Sequence, residues 1–494
     1  MKTVLSPRAF PLWMASSRKE TWNATCCGAS SINSRCGFSS SSSKVNRSRG
    51  ESRPLWLARA NRNAGFRCIC NMRHFGLLCP PVDGHMNPIG TVGHELQQRG
   101  HQVSWLSVID AKPRVESAGF SLGLLGKDEY PLGAVRKEAE ELGRLRGASA
   151  LLYTIGMLER QTSAILKDGP PVARELGIDA LIVDQATPAG SSLADILDIP
   201  YVTVGSALYV YRDPHVPPYC MNWNYNTSWL CQLRNRVANQ LMAIGVDSLR
   251  RSVNRIRRQH GLARIAHLEE TFSPLAQISQ QPPEFDFPKS RPIENLHYVG
   301  PLHGNASRRQ VDFPFEQLDD RPLIYASMGT LQNQDRHVFH KIAEACMGLD
   351  AQLVISLGGG TFVEAVGKLP GDPITVTFAP QLELLKRARM MITHAGMNSA
   401  LECLTHGVPM VAIPVTNDQP GVASRLEWTG AGRRVSLSKL SVDDLREAVS
   451  DVLTDESYLK AAQELQTACQ SGGGPRRAAE IVETAVETRQ PVLS

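Results

Sequence analysis

Within residues 390–419, Asn398 and Ser399 follow a tight His394-Ala395-Gly396 corner, Glu402 comes one helical turn after Asn398, and Asp418-Gln419 closes the stretch. The pattern suits a sugar nucleotide. The first N–H groups of a helix have no intrahelical partner and lie at the positive end of its dipole, so a diphosphate can rest on them. Asn398 and Ser399 add side-chain donors at the cap, and Glu402, on the same helix face, suits the vicinal hydroxyls of a ribose. Asp418 and Gln419 offer an acceptor and a donor to sugar hydroxyls. Taken singly, each of these residues does no more than cap or pack a helix. The string as a whole, polar only where strands end, points to a nucleotide-sugar site.

Those residues need a scaffold, and the period of the apolar side chains supplies one. Residues 390–393 read as an apolar strand, a helix opens at Asn398 and Ser399, and 408–415 read as a second strand, which makes a βαβ unit. Asp418 and Gln419 then stand at the carboxyl edge of its sheet, where open α/β sheets bind ligands. A similar unit begins at residue 74: strand 74–79, then His85 in the following loop, then Ile89, Val92 and Leu96 at helix spacing and a strand over 102–109. Residues 179–185 read as a buried parallel strand ending in Asp184. Transfer to a hydroxyl needs a base that takes the acceptor proton as the oxygen attacks, and His85 is the candidate. Asp184 would orient the imidazole and stabilise its cation. The plain alternatives are a solvated loop histidine and a carboxylate that caps the helix 189–198. Strands also run over 323–330 and 351–360, the second ending in three glycines that let backbone approach a ligand closely.

The stretch 378–419 resembles the donor-binding signature of the UDP-dependent glycosyltransferases of family 1. The residues that carry this are Phe378-Ala379-Pro380-Gln381, Thr393-His394-x-Gly396-x-Asn398-Ser399, Glu402, Gly407-Val408-Pro409-Met410 and Asp418-Gln419. Phe378 stands where plant members usually carry Trp, and Ala395 and Met397 replace the Cys and Trp of their corner, so the likeness runs to bacterial members. The resemblance implies an α/β fold of GT-B type, two facing Rossmann-like domains. It implies that Phe378 stacks on uracil, Gln381 holds the base and ribose side, and His394, Asn398 and Ser399, around Gly396, hold the diphosphate. Glu402 would take the ribose hydroxyls and Asp418 and Gln419 the sugar, while Ser327, Gly329 and Thr330 resemble the family's first donor-domain loop. Gly84-His85-x-x-Pro88 matches the family's catalytic base and Asp184 its partner aspartate. The implied chemistry is one inverting displacement on a UDP-sugar substrate without cofactor, and the chain has no Asp-x-Asp for a metal clamp.

The implied organisation is an acceptor-binding half over 72–285, a connection over 286–320, a UDP-sugar-binding half over 321–470 and a last segment, 471–494, that crosses back onto the first half. A three-glycine hinge at 472–474 would precede the last helix. Within the Pro-rich stretch 271–320, SPLAQISQ and FDFP are similar, nearly residue for residue, to the zeaxanthin glucosyltransferases of carotenoid-making bacteria. Residues 418–425 and 490–494 share that likeness, which implies glucose transfer from UDP-glucose to a hydroxylated carotenoid. Tyr209, Tyr211, Trp223, Tyr225 and Trp229 are expected either on an apolar acceptor or in the core, with a long helical region over 230–261 behind them. A sterol, diterpenoid or phenolic acceptor is the alternative. Two different classes remain beside these: a sugar-nucleotide epimerase, and a non-catalytic carotenoid or lipid carrier.

Residues 1–70 hold twelve Lys and Arg against two Asp and Glu, so of the net +5 the remainder carries about −5. On that charge neither nucleic acid nor an anionic membrane is an obvious partner for the body. The leader is Ser- and Arg-rich, nearly acid-free and without hydrophobic period, which is the composition of a transit peptide; a plastid address is expected, with a cytoplasmic location the alternative. Five of the eleven cysteines fall in the leader and the other six are scattered, so reduced thiols and no metal cluster are expected. No apolar run reaches the length of a membrane span, which leaves peripheral membrane contact open.

Overall fold

A computed structural model describes residues 72–145, 147–304, 311–330 and 335–494; the transit peptide expected over 1–71 lies outside them. Seven strands form one sheet in the order β3-β2-β1-β4-β5-β6-β7. They are β1 His74–Leu78, β2 Gln102–Ser107, β3 Ser121–Leu124, β4 Ala180–Asp184, β5 Tyr201–Gly205, β6 Gln277–Ser279 and β7 Leu296–Tyr298. Six form a second sheet in the order β10-β9-β8-β11-β12-β13: β8 Leu323–Ser327, β9 Gln352–Ser356, β10 Ile374–Val376, β11 Ala388–Thr393, β12 Met410–Ala412 and β13 Gly432–Arg434. Every pairing is parallel. Parallel sheets are covered by helices on both faces, which is why β1, β4 and β8 are buried end to end and lack polar alternation.

The helix Asp83–Gln98 packs Ile89, Val92 and Leu96 against one face of the first sheet, beside Ala478, Ile481 and Val482 of the last helix, Gly474–Thr488. Leu193 and Ile165 cover the other face. The second sheet lies between Leu401, Leu404 and Val422 on one side and Phe339, Ile342 and Val449 on the other. Burying each such side chain contributes about 1.5–3 kcal/mol.

The stretch 286–320, expected as a bare connection, supplies β7 to the first sheet, since three residues suffice for an edge pairing with β6. The helical region expected over 230–261 is two helices, Trp229–Gly245 and Asp247–Gln259. The glycine run 472–474 is a tight crossing and no hinge: a Cβ at Gly472 would lie 2.5 Å from the Val299 carbonyl group, and the Gly474 N–H donates to that carbonyl at 2.6 Å. Only glycine lets the two backbones touch there, which fixes where the last helix returns to the first sheet.

In each sheet the strand order reverses at one place, between β1 and β4 and between β8 and β11. Loops after the two flanking strands diverge at such a point and leave a crevice at their carboxyl ends. His85 follows β1, Asp184 ends β4, Ser327 ends β8 and His394 follows β11.

Candidate active site

The helix after β1 begins at Asp83, so His85 lies in its first turn, where a loop was expected. The carboxylate of Asp83 in that first turn favours the early start. His85 Nδ1 stands 3.0 Å from Asp184 Oδ2, with the imidazole 23% exposed and the carboxylate fully buried. The other oxygen, Oδ1, accepts from the Ala186 N–H at 2.7 Å. Asp184 thus orients the imidazole and also ties down the turn after β4. With Nδ1–H donated to the carboxylate, Nε2 keeps its lone pair for a proton. Burial pushes the imidazole down, but the charges of Asp184 and Asp418 outweigh it and raise His85 above its usual value. A raised histidine stabilises the fold below its unfolded value of 6.5, and that contribution is lost as pH rises through the higher folded value.

Pro88 has no N–H, so it cannot donate to the carbonyl of Gly84 four residues back. That carbonyl accepts instead from Asn398 Nδ2, across the gap, at 2.6 Å. Asn398 Oδ1 accepts from Gln280 Nε2 at 2.8 Å, and the same amide nitrogen donates to the Ser206 carbonyl at 2.6 Å. The helix Met397–Thr405 takes Gly396 as its N-cap without a side-chain bond. Asn398 and Ser399 therefore lie inside the first turn and are not caps, which frees Asn398 to reach the other half. A second link runs from the Leu208 N–H to Asp418 Oδ2, 2.9 Å. Gln419 Oε1 turns back to accept from the N–H groups of Val415 and Thr416.

The corner before this helix is strained, with Ala395 at φ 61°, a left-handed conformation that costs a non-glycine residue about 1–2 kcal/mol. It sets the His394 ring between two glycines. A Cβ on Gly329, φ 75°, would come within 2.7 Å of His394 Cε1 and Nε2, and one on Gly396 would also meet the ring. Burial pushes His394 down to about 4, so the ring is neutral at physiological pH. Its Nδ1 has no hydrogen-bond partner among the described residues. Acid must charge it, so stability is lost as pH falls from 6.5 toward about 4. Ser327 is buried and accepts from the Gly329 N–H, while Thr330 is exposed.

Behind the corner, Gln381 Nε2 donates to Glu402 Oε2 at 2.7 Å and more weakly to Ser399 Oγ at 3.4 Å. Gln381 Oε1 accepts from the Tyr325 hydroxyl at 3.2 Å. Glu402 is only 3% exposed. The glycine-rich loop after β9 lies against Phe378, since a Cβ at Gly359 would approach its Cζ to 2.5 Å.

The aromatic residues expected around an acceptor do not assemble together. Tyr209 is 2% exposed, with its hydroxyl bonded to Gln277, and is a core residue. Tyr211 donates to Asp286 Oδ1 at 3.0 Å and belongs to a buried ion cluster. Tyr225 stacks on Phe287, ring centroids 5.2 Å apart, Trp223 lies under the guanidinium of Arg234, and Trp229 is 71% exposed. The ion cluster itself was not anticipated. Arg425 Nε and Nη2 donate to Asp286 Oδ1 at 3.0 and 2.8 Å, and Lys289 and Tyr298 donate to Oδ2, each at 2.7 Å. Gln280 and Asp286 lie in the two motifs singled out from the sequence, SPLAQISQ and FDFP; their partners across the gap are invisible to periodicity.

The two parallel-sheet halves have counterparts among solved structures. The calicheamicin glycosyltransferase CalG4 superposes with a TM-score of 0.64 at 22% identity, covering 85% of this chain and 100% of its own. VinC, solved with dTDP, gives 0.61 at 20% identity over 84% of this chain and 100% of its own. The architecture is that of the GT-B glycosyltransferases. The family described as UDP-glucoronosyl and UDP-glucosyl transferase matches residues 152–470. A zeaxanthin glucosyltransferase of Pantoea ananas is 33% identical over 86% of this chain and 98% of its own. That of Pseudescherichia vulneris is 31% identical over 85% and 100%. The chain belongs to this UDP-glycosyltransferase family, and it is an enzyme that uses a UDP-sugar donor.

Proposed function

We propose that the chain transfers glucose from UDP-glucose to a hydroxyl of a hydroxylated carotenoid such as zeaxanthin, by one inverting displacement between the two sheets. The observation that carries the mechanism is the bond from Asn398 to Gly84, which sets the helix start assigned to the diphosphate next to the His85–Asp184 pair. The acceptor oxygen attacks the anomeric carbon as its bond to UDP breaks. The acceptor proton passes to His85 Nε2, and the electron pair leaves on UDP. Asp184 stabilises the imidazolium, and the N–H groups of the 397–405 helix, with His394, Ser399 and the Ser327–Thr330 loop, neutralise the leaving diphosphate. Phe378 and Gln381 take the uridine, Glu402 the ribose, and Asp418 and Gln419 the sugar. No cofactor enters.

The acceptor assignment draws on the two relatives named above, and on a plastid address, which would bring the enzyme to carotenoids. Mass spectrometry of pigments from zeaxanthin-producing bacteria expressing the chain should find hexosylated zeaxanthin. Unmodified zeaxanthin beside a glycosylated sterol, diterpenoid or phenol would replace the acceptor and keep the donor chemistry. Conversion of UDP-glucose without any acceptor would make the chain an epimerase, and pigment binding without UDP release a carrier.

The glycine bracket around His394 yields a separate expectation. Gly329→Ala introduces a Cβ at positive φ against the ring, so calorimetry should show UDP binding about tenfold weaker, the equivalent of about 1.4 kcal/mol. Unchanged affinity would remove this loop from the donor site.

A further inference from the structure

The helix Trp229–Gly245 carries an apolar stripe that nothing among the described residues covers. At about 100° per residue, Leu230, Leu233, Val237, Leu241 and Ile244 fall in one arc, and they are 50–63% exposed. Arg234 lies at one margin of that arc, held over the Trp223 ring at 4.2 Å, and exposed Arg236 lies beyond the other. A groove of about 390 Å³ runs along the stripe beside Trp223.

The charge around it is unlike that of the rest of the body. Residues 229–264 hold eight arginines against a single acidic residue, Asp247, in a body that sums to about −5. Arg250 and Arg251 pair with Asp247, and Arg257 is buried against Asp195. Arg236, Arg255, Arg258 and Arg264 are exposed, with no ion-pair partner among the described residues.

We infer that this helix pair docks on an anionic lipid surface, its leucine stripe inserted at the headgroup boundary and its arginines on the phosphates. An exposed apolar stripe with flanking cations is the pattern of an interfacial helix. The charge also disfavours other occupants: a second copy would bring two arginine-rich islands together, and residues 1–70 carry twelve Lys and Arg of their own. No helix of the described residues is long and apolar enough to cross the bilayer, so the contact is peripheral. The inference uses this face alone and stands apart from the carotenoid assignment, although an apolar acceptor would be met in such a surface.

Flotation of the full chain, without substrate, on vesicles of phosphatidylglycerol and phosphatidylcholine against pure phosphatidylcholine tests it. Binding is expected to the anionic vesicles and to fall as salt shortens the screening length from about 30 Å at 0.01 M to about 10 Å at 0.1 M. Arg236→Glu/Arg255→Glu/Arg258→Glu should lower partitioning at least about a hundredfold, each cation contributing roughly fivefold near such a surface. Leu233→Ser/Val237→Ser/Leu241→Ser should lower it by about as much through lost apolar contact. Both variants replace exposed side chains and should keep wild-type UDP binding, which reports that they are folded. Equal binding to both vesicle types, full binding by the serine variant, or a stable dimer that the serine variant dissolves would each overturn the inference.

Discussion

His85→Ala should lose about 10² to 10⁴ in kcat/KM, the range contributed by a correctly placed general base, while UDP binds as it does to the wild type. In the proposed mechanism the loss falls on the chemical step, because His85 takes the acceptor proton and the groups assigned to the donor belong to the other sheet. Asp184→Asn should also slow turnover, since an amide that presents its N–H to Nδ1 disfavours the tautomer with a free Nε2. The pH profile separates this role from mere packing. His85 works as a base only when neutral, and the charges of Asp184 and Asp418 raise its proton affinity. Activity should therefore fall as pH drops through that raised value. In Asp184→Asn the acid limb should move to lower pH. Retention of more than about a tenth of wild-type activity by His85→Ala would remove it as the base.

Asp286→Ala should destabilise the enzyme by about 3–5 kcal/mol, because it leaves Arg425 and Lys289 buried without their counter-ion. Arg425 belongs to the helix Gln419–Thr429 of the second half, and Asp286 to the connection, so the same substitution loosens the joint between halves. Burial by itself would raise the Asp286 carboxyl, but Arg425 and Lys289 outweigh it and hold it at about 2. A depressed carboxylate contributes stability above its unfolded value of 3.8, lost as pH falls toward about 2. The variant should lack that acid transition. Replacing the cluster as a whole, Asp286→Leu with Arg425→Met and Lys289→Met, should recover much of the loss, since apolar replacement of buried ionic groups is often close to neutral. Urea denaturation of the two variants measures this, and a single-variant loss under about 1 kcal/mol would mean the cluster is solvated.

Net charge summed over the body says little about any one face. The weak acidity of the body suggested no anionic surface as partner, because a sum over more than four hundred residues hides the eight arginines of 229–264. The exposed side of the 229–245 helix was equally hard to read, since an apolar stripe at helix spacing is the ordinary signature of burial. Tyr209 and Tyr211 stayed ambiguous for the converse reason: aromatic side chains suit a core and a pocket alike, and only coordinates place their hydroxyls on Gln277 and Asp286.

By itself the sequence determined the two parallel-sheet halves and the loops at their strand ends. Strands of a parallel sheet buried on both faces are mostly apolar along their length, so charged groups collect where they stop. Asp184 at the end of β4 and His394 just past β11 stood out as polar groups for that reason. Which residues meet was decided by the tertiary structure alone. The bonds Asn398–Gly84, Leu208–Asp418 and Arg425–Asp286 join positions 314, 210 and 139 residues apart, and no local period encodes such a distance. They exist because Pro88 leaves a carbonyl unpaired and because a buried carboxylate needs cations, conditions that are met only once both sheets have formed and closed on each other.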